Sequence, residues 1–179
     1  GESKLRRSKR IIVMAVIILA GFLLQYGVFA NCPLIDTVPN ILLIITVSFG
    51  FMKGKIQGMV IGLFCGFIMD IGSMDSIGYY MIIYILIGYI NGALHQWMYS
   101  DYIVFPLIVT TFSSLLYGIY NYVFLFLIRN RTDIVYYLLH VIIPEMIYTV
   151  ILTSVIYQLL AYINYRLEMA ERRSATKFV

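Results

Sequence analysis

Long apolar segments alternate with short charged or glycine-containing breaks along almost the whole chain. Breaks occur at Lys53-Gly54-Lys55, in a loop from Gly72 to Gly78, and from Arg129 to Asp133. Apolar stretches bounded in this way predict membrane-spanning helices. The six segments run approximately from Ile11 to Ala30, Val38 to Met52, Ile56 to Ile71, Tyr79 to Trp97, Tyr102 to Ile128, and Tyr136 to Tyr165. The predicted fold class is all-α, a polytopic membrane protein with six transmembrane helices.

The second and third segments are short for this role. They contain 15 and 16 residues, whereas a spanning helix normally needs about 17–25. One alternative is a re-entrant hairpin, which would place Lys53 and Lys55 deep in the bilayer at a cost of about 2.5–3.5 kcal/mol each. Two short spans with lysines that snorkel to the interface cost less. We therefore predict six spans.

Composition supports the membrane assignment and argues against a soluble domain. The chain has 179 residues, of which 61% are hydrophobic and 12% are charged. Soluble domains have roughly 45–50% apolar and about 25% charged residues. Too few charges remain here to cover a water-solvated surface. Lipid must therefore be the solvent for much of the protein.

The distribution of the cations predicts the orientation. Residues 1–10 form a basic tail, residues 11–165 the transmembrane domain, and residues 166–179 a C-terminal tail. With both tails and the Lys53 break inside, eleven Lys and Arg residues are cytoplasmic and two are outside. The positive-inside rule favours this arrangement. Cations beside a span also favour anionic membrane lipids over nucleic acid, which would need a basic folded face with interleaved aromatics.

Small residues form stripes on two of the predicted helices. The third segment has glycine at four-residue spacing and ends in an aspartate, so these positions share one helix face. The residues of this stripe are Gly58, Gly62, Gly66 and Asp70, and the fourth segment adds Gly88 and Gly92. Such faces let helices approach closely in lipid. Packing within the bundle is favoured over docking of a partner. For Asp70 at the membrane edge, simple solvation or capping of the following loop is slightly favoured over a functional role.

An intramembrane carboxyl lies in the sixth segment. Glu145 follows Pro144, and at about 1.5 Å per residue from Tyr136 it lies roughly 14 Å into the bilayer. Proline frees a backbone carbonyl and bends the helix, and a carboxyl at this depth needs a partner or a proton. A structural hydrogen bond and a functional contact remain equally open. Polar residues that could form an internal seam with it are Asn91 and His95 on the fourth segment and Thr110, Ser114 and Asn121 on the fifth.

Motifs for catalysis or metal binding are not found. The chain has no HExxH, no GxSxG and no glycine-rich phosphate loop. Its two cysteines, Cys32 and Cys65, have no metal-ligand spacing. We expect no enzymatic activity, no cofactor and no metal.

Several of these features together resemble a known family. The run from Pro39 to Leu43, the stripe ending at Asp70, the run from Leu86 to Gly92, and Pro144-Glu145 resemble the rod shape-determining protein MreD family of bacteria. The resemblance covers most of the chain. One departure is His95-Gln96-Trp97, which stands where a basic residue is expected after the fourth span.

The resemblance implies a non-catalytic scaffold of the cell-elongation machinery in the bacterial inner membrane. It implies that the chain binds the transmembrane helix of MreC, works with the MreB filament and a RodA-type wall synthase, and helps control cell shape and lateral peptidoglycan synthesis. The glycine faces would contact partner helices, and the loop after Asp70 would meet extracytoplasmic partners. The family is also similar in fold to the substrate-binding subunits of energy-coupling-factor transporters.

A solute-binding subunit of such a transporter is the alternative function. The polar seam would then line a pocket. These subunits present an Ala-x3-Ala face on the first helix, whereas here Leu19 follows Ala15 and Leu24 follows Ala20 at that spacing. This difference counts against the transport function.

Overall fold

The computed structural model describes residues 2–32, 37–73, 76–97, 103–127, 129–130 and 133–176, and within these ranges it contains helices and no strands. The helices are α1 (Glu2–Leu23), α2 (Ile41–Lys53), α3 (Lys55–Ser73), α4 (Tyr79–Ala93), α5 (Val104–Asn121), α6 (Ile134–Tyr137) and α7 (Ile143–Thr176). The π-helical turns Leu24–Phe29 and Tyr122–Leu127 extend α1 and α5. A third π-helical turn, Leu138–Ile142, joins α6 to α7, and the 3-10 turn Leu94–Trp97 extends α4.

Each of the six predicted segments contains a helix, which confirms the all-α class. Four helices in the described part of the chain are long and apolar enough to cross a membrane. They are Lys4–Phe29, Lys55–Ser73, Val104–Leu125 and Ile134–Arg173. The first and last extend into the predicted tails, so these are helical where described. Tyr102, Ile128, Lys177, and Met74 and Asp75 of the loop after Asp70 lie outside the described residues.

The shortest predicted span, α2, is the centre of the bundle. Its 13 residues give a length of about 20 Å at ~1.5 Å per residue, less than the ~30 Å hydrocarbon core. Every residue from Ile41 to Met52 is buried, and α1, α3, α4, α5 and α7 all contact this helix. A helix that is apolar on all sides can either be enclosed by other helices or face lipid. The packing of its five neighbours therefore decides the central position of α2.

The turn between α2 and α3 lies at the same end of the bundle as both tails. Lys53 forms an ion pair and hydrogen bond with Glu168 of α7, and Arg10 of α1 pairs with Glu171 at 3.2 Å. The turn itself needs a left-handed residue, which Gly54 supplies with φ +98°. The break at Lys53-Gly54-Lys55 is thus an end of the bundle, not its midpoint.

A π-helical turn precedes the proline of the last helix. Pro144 has no N–H and its ring would clash with the carbonyl four residues earlier, at His140. The wider π-helical turn Leu138–Ile142 contains His140 and lets the helix continue into α7. The predicted bend at Pro144 is therefore accommodated by a local change of helix type.

Candidate functional site

The predicted glycine stripe forms the contact between α3 and α4. These helices are antiparallel: Gly58 faces Gly88, Gly62 faces Tyr84, and Gly66 faces Met81. A Cβ added to Gly66 would lie 2.5 Å from the Cα of Met81, and one added to Gly62 would lie 2.7 Å from the carbonyl carbon of Tyr84. Ordinary contacts begin near 3.4 Å. The two backbones therefore touch, with no space for a side chain between them.

A third helix joins this contact at the end near the Lys53 turn. A Cβ on Gly58 would lie 2.8 Å from the Cα of Gly50 in α2, and Gly92 packs against the backbone of Lys55. Gly50, Gly58 and Gly88 thus mark the place where α2, α3 and α4 come together. Because all the glycines of the stripe are buried here, this face is already occupied by the protein's own helices.

Asp70 caps the start of α4. Its side chain is 1% exposed, and its two carboxylate oxygens accept hydrogen bonds from the backbone N–H groups of Gly78 at 2.8 Å and Tyr80 at 2.7 Å. The first N–H groups of a helix have no partner within the helix, and a carboxylate also interacts favourably with the positive end of its dipole. Gly78 adopts φ +102° to bring the chain back over Asp70. The carboxylate therefore serves the α3–α4 turn.

Three other helices help to cap the buried start of α2. Asn40 Oδ1 accepts from the backbone N–H of Leu43 at 3.0 Å and from the hydroxyl of Tyr84 at 2.7 Å. The N–H of Leu42 donates to Gln25 Oε1 of α1 at 3.2 Å, and the N–H of Asn40 donates to Thr149 Oγ1 of α7 at 3.1 Å. Unpaired amides at this buried helix end would each cost about 1–3 kcal/mol. Asn40 Nδ2 has no partner in the described part of the chain.

Sequence reasoning missed this capping cluster. Asn40 entered only as part of the apolar run that carries the family resemblance, and Gln25, Tyr84 and Thr149 were not singled out. An asparagine directly before a long apolar run is a recognised helix-start signal. That signal could have identified Asn40. The three supporting side chains come from distant parts of the chain, so no local pattern indicates them.

The polar residues of α4 and α5 pair differently from the predicted seam. Asn91 Nδ2 donates to Ser113 Oγ at 2.9 Å, whereas Ser114 and Thr110 were the predicted members. Asn121 Oδ1 accepts from the hydroxyl of Tyr79 at 2.9 Å. Both hydrogen bonds join α4 to α5.

His95 has a role at the opposite end of α2. Its Nδ1 lies 2.7 Å from the carbonyl oxygen of Phe51, one of the last carbonyls of that helix, which have no partner within the helix. His95, which stands where the resemblance implied a basic residue, therefore contacts the C-terminal end of α2.

Glu145 is the polar residue whose role stays open. It lies one turn before Thr149 and two before Thr153 on α7, and both of those threonines are buried against the interior. Its carboxylate is partly buried and makes no hydrogen bond or ion pair with the described residues. The structure thus places Glu145 one turn before Thr149, a member of the capping cluster at the start of α2, without giving its carboxylate a hydrogen-bond partner among the described residues.

The ion pairs at the tail end lie at or beyond the ends of the predicted spans. Glu168 lies three residues beyond the apolar segment that ends at Tyr165, outside the predicted span. The hydrogen bond from Lys53 lowers the pKa of its carboxyl, and Asn164 adds a second hydrogen bond at 3.3 Å. Arg10 and Glu171 form the neighbouring pair. These contacts connect α1, the α2–α3 turn and α7 at one end of the bundle.

These features define a class of protein. It is an all-helical, polytopic membrane protein in which most interior polar groups hold its own helices together. One family model, described as rod shape-determining protein MreD, matches residues 5–166. Because the match covers most of the 179 residues, the chain belongs to the MreD family. The curated proteins and the solved structures that were compared give no match.

Proposed function

We propose that this chain is a non-catalytic scaffold of the bacterial cell-elongation machinery, which binds MreC and helps control lateral peptidoglycan synthesis. The observation that carries the proposal is the MreD family match over residues 5–166. The capping role of Asp70 supports it, because both oxygens of this carboxylate are used by the backbone at the start of α4.

The proposed location is the inner membrane, with six passes and both termini in the cytoplasm. The ion pairs of Lys53 and Arg10 support an even number of passes, because they bring both tails and the α2–α3 turn to one end. A re-entrant hairpin would leave that turn within the bilayer. The excess of Lys and Arg at this end supports a cytoplasmic orientation.

The surfaces proposed for partners are the outward faces of the bundle. The glycine stripe is enclosed between α3 and α4, so MreC would contact side chains that point into lipid. Exposed apolar residues recur at helical spacing on the outward face of α5, for example Ile108 and Phe112. MreB and the RodA-type synthase would act through the same assembly.

Complementation in a rod-shaped host tests this proposal. Cells depleted of their own MreD should become round, and this chain, expressed with its cognate MreC, should restore the rod shape. MreC should co-purify with the wild-type chain in mild detergent. Cells that keep their shape on depletion, or an MreC that does not co-purify, would contradict the proposal.

One observation favours the solute-binding alternative. The carboxylate of Glu145 is partly buried and has no partner among the described residues, one turn before the buried Thr149. A solute with a hydrogen-bond donor could occupy such a place. Native mass spectrometry of the purified chain and of a Glu145→Gln variant would test it. A bound small molecule that is lost in the variant would support this alternative.

A further inference from the structure

A cleft separates α4 from α5 in the half of the bundle that contains His95. Its volume is about 210 Å³, and four of its lining residues are Ile87 and Ile90 of α4 and Val109 and Phe112 of α5. Ile90 is 40% exposed and Phe112 is 69% exposed, so the cleft opens sideways towards lipid. At ~30 Å³ per water in the liquid, this volume is too small for a helix backbone but sufficient for inserted side chains.

Two polar groups of this cleft have unused hydrogen-bonding capacity. Asn91 is 1% exposed and lines the cleft. Its Nδ2 donates to the carbonyl of Ile87 and to Ser113 Oγ, while its Oδ1 has no partner in the part of the chain that the structure describes. Ser113 also lines the cleft and accepts the bond from Asn91, but donates none to a described residue. An unmet acceptor and an unused donor are therefore adjacent.

We propose that this cleft docks a transmembrane helix of a partner, which inserts a hydroxyl or carboxamide side chain between apolar neighbours. Such a side chain donates to Asn91 Oδ1 and accepts from Ser113 at the same time. A lipid acyl chain matches the apolar walls but leaves both polar groups unsatisfied. In a membrane, hydrogen bonds between helices contribute about 0.6–2 kcal/mol each. The inference rests on the proposed function, since MreC is the probe.

A matched pair of tryptophan variants tests whether the cleft is the docking place. Ile90→Trp puts a large side chain at the mouth of the cleft, and Ile82→Trp adds the same bulk two turns away on α4, where the side chain is 63% exposed. We expect Ile90→Trp to reduce MreC retention at least ten-fold and Ile82→Trp to leave it unchanged. Equal retention by both variants overturns the proposal and leaves the proposed function intact. Absence of MreC from the wild-type preparation refutes the proposed function itself.

A second pair tests the polar contact. Ser113→Ala removes the unused donor and also the acceptor of the bond from Asn91 Nδ2. Ser114→Ala removes a neighbouring buried hydroxyl that does not line the cleft. A loss of about 0.6–1.4 kcal/mol predicts a three- to ten-fold weaker MreC complex for Ser113→Ala only. An equal effect of both changes contradicts the specific contact.

Photo-crosslinking reads out the occupant without disturbing the interior. A photoreactive amino acid at Phe112 should crosslink to MreC in cells, whereas one at Ile151, exposed on α7, should not. Crosslinks at Phe112 to lipid only, or to a second copy of this chain, overturn the proposal. Crosslinks to MreC from Ile151 but not from Phe112 assign the contact to another face and overturn it as well.

Discussion

Replacing Gly66 with alanine adds one methyl group between two helix backbones. Its Cβ would lie 2.5 Å from the Cα of Met81, 2.8 Å from the N of Met81 and 2.8 Å from the carbonyl oxygen of Tyr80. All three atoms belong to the backbone of α4, so no side chain can rotate away. Reaching an ordinary contact distance requires α3 and α4 to separate locally by most of an ångström. Overpacking of this kind costs about 1–3 kcal/mol, more than the gain of up to ~1 kcal/mol that alanine brings to a helix.

Thermal unfolding in detergent measures this balance. The thiol of Cys65 is buried, so a thiol-reactive fluorophore reports its exposure on unfolding when Cys32 has been replaced with serine. At about 2–4 °C per kcal/mol for a chain of this size, Gly66→Ala should lower the unfolding temperature by several degrees.

The matched control for this variant is Gly27→Ala. A Cβ at Gly27 meets nothing within 4 Å, so this change should not lower the unfolding temperature. If Gly66→Ala is as stable as the wild-type chain, or gains stability as Gly27→Ala can, the proposed contact between backbones is wrong.

Three further predictions use the same unfolding assay. Asp70→Ala leaves two backbone donors at the start of α4 unsatisfied, so a loss of about 2–4 kcal/mol is expected, and an unchanged unfolding temperature would refute the capping role. Thr149→Val keeps the shape but removes the acceptor for the N–H of Asn40, with an expected loss of about 1–2 kcal/mol; a neutral result would mean that this amide has another partner. The pKa of Glu168 is lowered by Lys53, so the carboxylate stabilises the fold above its unfolded pKa and loses that effect as the pH falls through the folded value. Because the Glu168 side chain is 40% exposed, Glu168→Gln should cost at most about 1 kcal/mol at neutral pH. It should cost nothing at a pH below the folded pKa, and a difference that grows on acidification would contradict this sign.

The glycine stripe shows what a sequence pattern can and cannot predict about helix packing. Four-residue spacing indicates a face on which another helix can approach, but it does not say which helix. The structure shows that α4, with Gly88 opposite Gly58, fills this face. A partner helix must then use another surface, and the cleft beside Asn91 is one place where a described polar atom has no hydrogen-bond partner.

The sequence by itself determined that lipid solvates much of the protein, how many helical segments there are, and that the charged residues are grouped at the tails. These follow from hydropathy and charge, which are properties of single segments and need no knowledge of neighbours. The capping role of Asp70 could be anticipated because the helix it caps follows within ten residues.

Only the tertiary structure decided which side chains satisfy the buried start of α2 and where the bundle leaves space. Gln25 and Thr149 reach this helix from segments 17 and 109 residues away in the chain, and no periodicity encodes such a meeting. The pairing of Asn91 with Ser113 instead of Ser114 depends on the rotation of α5 about its axis. That rotation is set by the packing of all the helices together, so it cannot be read from any one of them.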